Sequence, residues 1–202
     1  MEYIADQLNY LFSDDDVFEV CIIAPSINKH SLWDNEFSGK SIIAGWFDNK
    51  EKAIEAINKA ETEVKPDSIY LTLNPCNDAL LSRANNRLKV VRSRTSDNDI
   101  IKYQNMFIDV DPKRPAGTSS SDDELKEALK ISNDIYKTLS NCGFPKPLAA
   151  TSGNGTHLTY KLNNCVYPEL VQAFLNAINN RFKTDTIEID TKVYNPARLI
   201  KG

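Results

Sequence analysis

The stretch Met106-Phe107-Ile108-Asp109-Val110-Asp111-Pro112 decides the fold, because it is an apolar strand that carries two acidic residues near its end. Pro112 has no backbone N–H to give to a neighbouring strand and therefore ends this one. The residues after it predict a helix over 122–141, strands over 148–151 and 156–162, a helix over 167–182 and a strand from about residue 186. This β-α-β-β-α-β order is the split βαβ arrangement of ferredoxin-like and RNA-recognition folds.

The residues before this stretch predict a second αβ module, in the order helix, strand, strand, helix and strand. The expected ranges are 3–12, 17–24, 41–47, 50–63 and 68–73, and Trp33, Trp46 and Phe47 belong to the expected core. The chain is therefore expected to be an α+β protein, with an N-terminal αβ module over about 1–100 and an RNA-recognition-like module over about 101–202.

Composition narrows the class of protein. The chain has 202 residues and a net charge of −4, which argues against a protein that coats nucleic acid by overall positive charge. No apolar run is long enough for a membrane span, and the first residues do not have the pattern of a signal peptide. The 4 cysteines are spaced too widely for a zinc motif or a disulfide framework, so a reducing cytoplasmic compartment is expected.

One segment is strongly basic despite the negative net charge. It contains Arg83, Arg87, Lys89, Arg92 and Arg94, with no acidic residue between them. Such a run is either a solvated face or a strip that contacts a polyanion. We keep its four arginines as candidates for contact with the phosphate backbone of a nucleic acid.

The acidic residues of the second module are expected to converge. Asp109 and Asp111 share one face of their strand, because side chains alternate along a strand. In the split βαβ sheet the first strand lies between the third and the fourth and runs antiparallel to both, so its end neighbours His157 and Asp190. Clustered carboxylates repel one another unless a cation compensates them, and oxygen ligands favour Mg²⁺ or Mn²⁺. Two such ions are the recurring device of nucleotidyl transfer.

The turn before His157 has the composition of a phosphate site. In Ser152-Gly153-Asn154-Gly155 the two glycines allow successive backbone N–H groups to point inward, and they let a phosphate come close. His157 can donate to a phosphate oxygen, and Arg198 offers a permanent positive charge for the same purpose. The same four residues would also form an ordinary hairpin turn, and a single histidine is often structural.

At these residues the chain resembles the archaeo-eukaryotic primase superfamily, in particular the primase-polymerase domains of phage and plasmid replication proteins. The three motifs of that family are an acidic Asp-x-Asp/Glu, a small-x-His and a hydrophobic-Asp, which here read Asp109-Val110-Asp111, Gly155-Thr156-His157 and Ile189-Asp190. The stretches Gly45-Trp46-Phe47-Asp48, Tyr70-Leu71-Thr72-Leu73-Asn74-Pro75 and Arg198-Leu199-Ile200-Lys201-Gly202 resemble such domains as well.

The resemblance implies a single catalytic domain over residues 1–202, excised from a longer protein, in which the N-terminal αβ module packs on the RNA-recognition-like module with the site in the cleft between them. It implies that Asp109, Asp111 and Asp190 are catalytic and bind two Mg²⁺ or Mn²⁺ ions. The implied nucleotide-binding residues are Ser152, Gly153, Asn154, Gly155, Thr156, His157 and Arg198. The implied partners are a single-stranded DNA template, a primer strand and NTP or dNTP, with a helicase or accessory domain elsewhere in a prokaryotic, phage or plasmid replication protein, and no membrane.

Two classes of function follow. The first is a DNA-templated nucleotidyltransferase that makes and extends primers. The second is a non-catalytic nucleic-acid-binding module of replication initiation with a vestigial site, since RNA-recognition-like sheets often only bind strands. A nucleotide-sugar transferase would leave Asp190 and His157 unexplained, and a nicking relaxase is disfavoured because His30 and His157 do not form a paired-histidine site.

Overall fold

The structure is a computed structural model that describes residues 2–22, 42–115, 117–163 and 166–202. His30 and Trp33 lie outside the described residues, as do the expected strand ends at 23–24 and 41. The chain divides into two compact units, Met1–Lys102 with Pro196–Gly202 and Tyr103–Asn195. In the described residues both units combine helices with an antiparallel sheet, which makes the protein an α+β fold as predicted.

The first unit contains a five-stranded sheet with the strand order β4-β2-β1-β3-β9. All four pairs of neighbouring strands are antiparallel. Its elements are α1 (Glu2–Leu11), β1 (Phe18–Ile22), β2 (Ile42–Phe47), α2 (Lys50–Lys59), a π-helical turn (Ala60–Val64), β3 (Ile69–Thr72), two short 3₁₀ helices (Asp78–Ser82 and Asp97–Asp99), β4 (Lys89–Val91) and β9 (Leu199–Lys201).

The centre of this sheet is buried on both faces, because β1 is buried along its whole length. On one face Phe18 stacks between Phe12 and Phe47, with ring centroids 4.5 and 6.2 Å apart. On the other face Trp46 packs into an apolar cluster with Leu80, and its indole N–H donates to Thr95 Oγ1 at 2.9 Å. Trp46 and Phe47 are thus in the core, as expected from the sequence.

The second unit contains a four-stranded sheet with the order β6-β7-β5-β8. Strand β5 lies between β7 and β8 and is antiparallel to both, which confirms the predicted split βαβ topology. The elements are β5 (Asn105–Pro112), α3 (Asp122–Asn141), β6 (Leu148–Thr151), β7 (Thr156–Lys161), α4 (Pro168–Phe182) and β8 (Ile187–Ile189).

Helices α3 and α4 cover one face of this sheet. Helix α3 begins at a capping box in which Ser121 and Glu124 each bond the backbone of the other, and its buried stripe includes Ile135 and Leu139. The helix contacts β5 and β7, where the hydroxyls of Ser132 and Thr156 are hydrogen-bonded to each other. Because side chains alternate along β7, the face that carries His157 is the one that α3 does not cover.

The chain end differs from the expected arrangement. Residues after β8 do not continue that strand: Asp190 Oδ1 accepts from Lys192 N at 2.8 Å, and the chain turns there. The last strand, β9, instead pairs with β3, so Pro196–Gly202 belongs to the first unit rather than to the module expected over 101–202. A strand's distant partner is not visible in its own sequence. In the described residues, no helix is long and apolar enough to cross a membrane.

Candidate active site

Asp109 and His157 lie directly opposite each other on β5 and β7. His157 Nε2 is 3.2 Å from Asp109 Oδ1, which is ion-pair distance when the imidazole is protonated. Asp109 Oδ1 is buried. Because the imidazole N–H is not aimed at it, this oxygen accepts no hydrogen bond from the described residues. The imidazole also contacts the ring of Phe107, with centroids 4.9 Å apart, which holds its position on the sheet face.

Asp190 reaches the same place from β8. Its backbone N–H donates to Asp109 O at 2.9 Å, immediately after the pairing of Ile189 with Val110. One of its carboxylate oxygens accepts from Lys192 N and so closes its own turn. The main chain of Asp190 therefore adjoins Asp109 as the topology requires.

Asp111 lies in an environment that is unfavourable to its charge. Burial raises the pKa of its carboxyl, and the charges of Asp109 and Asp190 raise it further, whereas Arg114 and His157 lower it. The net direction is upward, so the two nearby cations do not balance the burial and the two acids. Asp109, Asp190 and His157 thus all act electrostatically on Asp111, as residues of a single site do.

Gly155 is required beside Asp111 because there is no room for a side chain. A Cβ at this position would lie 2.1 Å from Asp111 Oδ1 and 2.6 Å from Val110 O, both far inside contact distance. Gly153 serves a different purpose: its φ is +81°, a left-handed conformation that glycine adopts without strain, and nothing lies within 4 Å of its Cβ position. Glycine is therefore favoured at the two positions for different reasons: lack of space at Gly155 and a left-handed backbone at Gly153.

The inward-pointing N–H groups of the turn have a partner in the structure. Gly155 N and Asn154 N donate to Ser152 Oγ at 3.1 and 3.4 Å, and Ser152 N donates to Gly155 O. The N–H groups expected to bind a phosphate thus surround the Ser152 hydroxyl. A phosphate oxygen would have to replace that hydroxyl, which is itself a hydrogen-bond acceptor in the same position.

Asn154 and Arg114 tie this turn to the loop that follows β5. Asn154 Oδ1 accepts from Ser120 N at 3.2 Å, and Asn154 O accepts from both Ser120 Oγ and Arg114 Nη1. Arg114 Nε donates to Thr118 O at 2.9 Å. Sequence reasoning missed Arg114 and Ser120. The signal for Arg114 was its position three residues after Asp111, where a loop that turns back on its strand brings a cation close to the acids.

The donor set suits a hard divalent cation in its chemistry. Carboxylate oxygens are the ligands that Mg²⁺ and Mn²⁺ prefer. A bound cation would relieve both the lack of a hydrogen bond at Asp109 Oδ1 and the unfavourable charge of Asp111. The described residues contain no group of three His, Cys, Asp or Glu side chains already arranged to hold a metal ion. The acids thus fit such an ion by type and charge, and a closed coordination sphere would require their side chains to turn.

One predicted nucleotide-binding residue points away from this group, and another belongs to the other unit. Thr156 faces α3, where its hydroxyl pairs with Ser132, because it alternates with His157 along β7. Its side chain therefore does not join the acidic face. Arg198 belongs to the first unit, where its carbonyl accepts from Leu73 N at 2.7 Å, and its Nε is buried without a hydrogen-bond partner among the described residues. A contact of Arg198 with a triphosphate stays a prediction.

The arginines of the basic run do not form one uniform strip. Arg83, Arg87 and Arg92 are exposed, and the Arg83 guanidinium lies 5.5 Å from the centre of the Trp46 ring. Arg94 is half-buried, and its charge partly offsets the rise that burial causes in the pKa of the Glu19 carboxyl. Arg94 is thus engaged within the unit, and the other three arginines are available to solvent.

Comparison with known proteins identifies a fold. No protein-family model and no curated protein matches the chain. Among solved structures it is similar to the polymerase domain of Ligase D from Mycobacterium tuberculosis, in a complex with DNA, with a TM-score of 0.55 and 9% sequence identity over 100% of this chain and 73% of that one. At this identity the similarity establishes a shared α+β fold.

Proposed function

We propose that the protein is a DNA-templated nucleotidyltransferase, a primase-polymerase that makes and extends primers from NTP or dNTP. The observation that carries this proposal is the convergence of Asp109, Asp111, Asp190 and His157, from β5, β7 and the residue after β8, at one end of one sheet. The similarity in fold to a polymerase domain in a complex with DNA supports it. In this reaction the 3′ hydroxyl of the growing strand attacks the α-phosphorus of a nucleotide, and pyrophosphate leaves.

The residues of the site have distinct roles in this proposal. Asp109, Asp111 and Asp190 would hold two Mg²⁺ or Mn²⁺ ions, which when bound stabilise the attacking and leaving oxygens of an in-line displacement. His157 donates to a phosphate oxygen, with its ring held by Phe107 and Asp109. Gly155 leaves the space that Asp111 occupies. No side chain forms a covalent bond with the nucleotide, so catalysis here consists of positioning and charge stabilisation.

The test is primer synthesis on a single-stranded template with Mg²⁺ or Mn²⁺, comparing two variants that each lose two carboxylates. In Asp109→Asn/Asp111→Asn we expect product to fall to background. The matched control is Asp67→Asn/Asp185→Asn, which removes two exposed carboxylates and should leave synthesis unchanged. Undiminished synthesis by the first variant would refute the assignment.

A second readout does not depend on activity. If the acids bind divalent ions, Mn²⁺ raises the Tm of the parent protein by mass action, and the rise disappears in Asp109→Asn/Asp111→Asn while persisting in the control. An equal rise in all three proteins would mean that Mn²⁺ binds elsewhere.

One observation favours the non-catalytic alternative. The described residues hold no preformed group of three metal-binding side chains, and a vestigial site would also lack such a group. Calorimetric titration separates the two functions: nucleotide binding that requires Mg²⁺ or Mn²⁺ supports the enzyme, whereas oligonucleotide binding without any metal-dependent binding of nucleotide supports the binding module.

A further inference from the structure

The basic run contributes to two grooves that lie next to each other along the chain. Residues 86–88 and helix α2 border the first, a groove of about 390 Å³. Residues 89–93 and Arg83 border the second, a groove of about 340 Å³ beside strand β4. Strand β4 is at the edge of its sheet, so among the described strands its outer backbone groups pair with no other strand.

Helix α2 adds two lysines that the sequence run did not include. Lys52 and Lys59 are two helical turns apart and both exposed, and they line the first groove with Arg87. Asn49 caps the helix by accepting from Lys52 N at 2.9 Å, which fixes where this stripe begins. The cations of the two grooves together, which we call the basic edge, are Lys52, Lys59, Arg83, Arg87, Lys89 and Arg92.

The charge of the basic edge is opposite to that of the whole chain. Among the described residues that line the two grooves, Glu55 is the single acid beside the six cations, whereas the chain has a net charge of −4. Concentrated like charges repel one another, so such a surface costs stability unless a polyanion occupies it. The guanidinium of Arg83 is held against the Trp46 ring, which lowers the entropy lost when it contacts a ligand.

We infer that the basic edge binds the sugar-phosphate backbone of a nucleic-acid strand, which passes along β4 from one groove to the other. Three of its cations are arginines, whose planar groups bind phosphate through two parallel hydrogen bonds. Leu88, Val90 and Val91 offer apolar contact between the charges, which suits sugars and bases. The inference deepens the proposed function by naming where the strand is bound and by adding α2 to the surface.

The inference excludes Arg94 from the surface. Arg94 is half-buried, and its charge acts on Glu19 and Cys21 inside the unit. The surface is therefore defined by groove and exposure, and position in the basic run alone does not place a residue in it.

The experiment measures binding of a fluorescein-labelled single-stranded oligonucleotide by anisotropy, in a salt series without divalent ions or nucleotides. Lys52→Gln/Lys59→Gln tests the helix part and Arg87→Gln/Arg92→Gln tests the strand part. The slope of log K against log salt is negative, and each phosphate contact with a single strand contributes about 0.7 to its magnitude. Loss of two contacts should therefore reduce that magnitude by about 1.4 and weaken binding roughly 25-fold at 0.1 M salt.

The matched control is Lys130→Gln/Lys137→Gln, which removes two exposed lysines of α3 and changes the net charge equally. It should keep the parent slope. An unchanged slope in Lys52→Gln/Lys59→Gln would overturn the inference, as would an equal loss in the control. If polyglutamate displaced the oligonucleotide as well as unlabelled oligonucleotide does, the surface would be one for acidic peptides and the nucleic-acid assignment would fail.

The inference and the proposed function fail separately. A protein that loses binding in both variants but makes no primer keeps the basic edge and loses the proposed enzyme. A protein that makes primer through Asp109 and Asp111 but binds normally in both variants keeps the enzyme and loses the basic edge.

Discussion

Replacement of Gly155 by alanine tests whether the space beside Asp111 is essential. The added methyl group would lie 2.1 Å from Asp111 Oδ1 and 2.6 Å from Val110 O. Val110 cannot move away easily, because it pairs with Thr156 on one side and Ile189 on the other. The carboxylate of Asp111 must therefore retreat by more than an ångström, and the turn must shift with it.

Two effects of different size are expected from Gly155→Ala. Overpacking costs about 1–3 kcal/mol of unfolding free energy, which lowers Tm by roughly 2–4 °C per kcal/mol at this chain length. Under the proposed function, misplacement of Asp111 by about an ångström should lower the rate of primer synthesis roughly 100-fold. The rate effect should therefore be much larger than any loss of folded protein, and both are measured on the same preparation by thermal unfolding and by primer extension.

Gly153→Ala is the matched control in the same turn. It strains a left-handed residue by about 1–2 kcal/mol, yet its Cβ meets nothing within 4 Å. We expect a similar loss of stability with most of the synthesis rate retained. Equal rates in the parent and Gly155→Ala, or an equal loss of rate in both variants, would refute the reasoning, because the space beside Asp111 would then have no special importance.

Four further predictions concern charge, thiols and a helix end. Removal of one carboxylate in Asp111→Asn should raise the unfolding free energy at pH 7 in divalent-free buffer, because burial and the nearby acids raise the pKa of Asp111 and so oppose its ionised form; a less stable variant would contradict this. Burial also raises the pKa of Glu19 above its usual value, although Thr95, Arg94 and Arg83 oppose the shift. The folded state then holds a proton that the unfolded state has lost, so this group's contribution to stability is present below about pH 4.5 and declines as pH rises through the raised pKa. Denaturant unfolding over that range should show a smaller decline in Glu19→Gln than in the parent, and parallel curves would contradict the assignment. Burial raises the pKa of Cys21 to about 12 and that of Cys76 to about 11. In a Cys165→Ser background, a thiol reagent at pH 8 should therefore modify exposed Cys142 and reach the other two thiols only on unfolding. Rapid modification of all three thiols in the native protein would contradict this. Ser121→Ala removes the capping box of α3 and should cost about 0.5–2 kcal/mol by the same unfolding measurement, with an exposed Ser140→Ala in the last turn as the neutral control.

The second unit could be predicted closely because its signals are local. The alternation of β5 identifies the face that carries Asp109 and Asp111, and the βαββαβ order fixes which strands lie beside it. Helix α3 was predicted with its observed bounds, because its apolar residues recur at helical spacing and Gly143 follows its end; the structure adds the capping box at its start. Position on a known topology was enough to bring together four residues from three segments that are far apart in the sequence.

The missed features depend on contacts between distant segments. The pairing of β9 with β3 joins segments that are far apart in the sequence, and neither strand indicates its partner. Lys52 and Lys59 line a groove with Arg87 because α2 lies next to residues 86–88, which the sequence does not indicate. Likewise Thr156 was grouped with His157 by motif, although alternation along β7 turns its side chain to α3. In each case the sequence pattern predicted the local element correctly, whereas tertiary packing determines which segments lie next to it.

Three departures from good local structure lie close together around Asp111. Its charge is opposed by burial and by two acids, Asp109 Oδ1 is buried without a hydrogen bond from the described residues, and Gly155 is held against a carboxylate with no room for a methyl group. The helices of the same unit follow ordinary rules, since α3 is capped and both helices have buried apolar stripes. A purely structural cluster would lose stability on any substitution, whereas here removal of charge from Asp111 should stabilise the apo protein and addition of volume at Gly155 should destabilise it. Stability changes of opposite sign at these two neighbouring residues are expected where a protein retains an unfavourable charge because a ligand needs it.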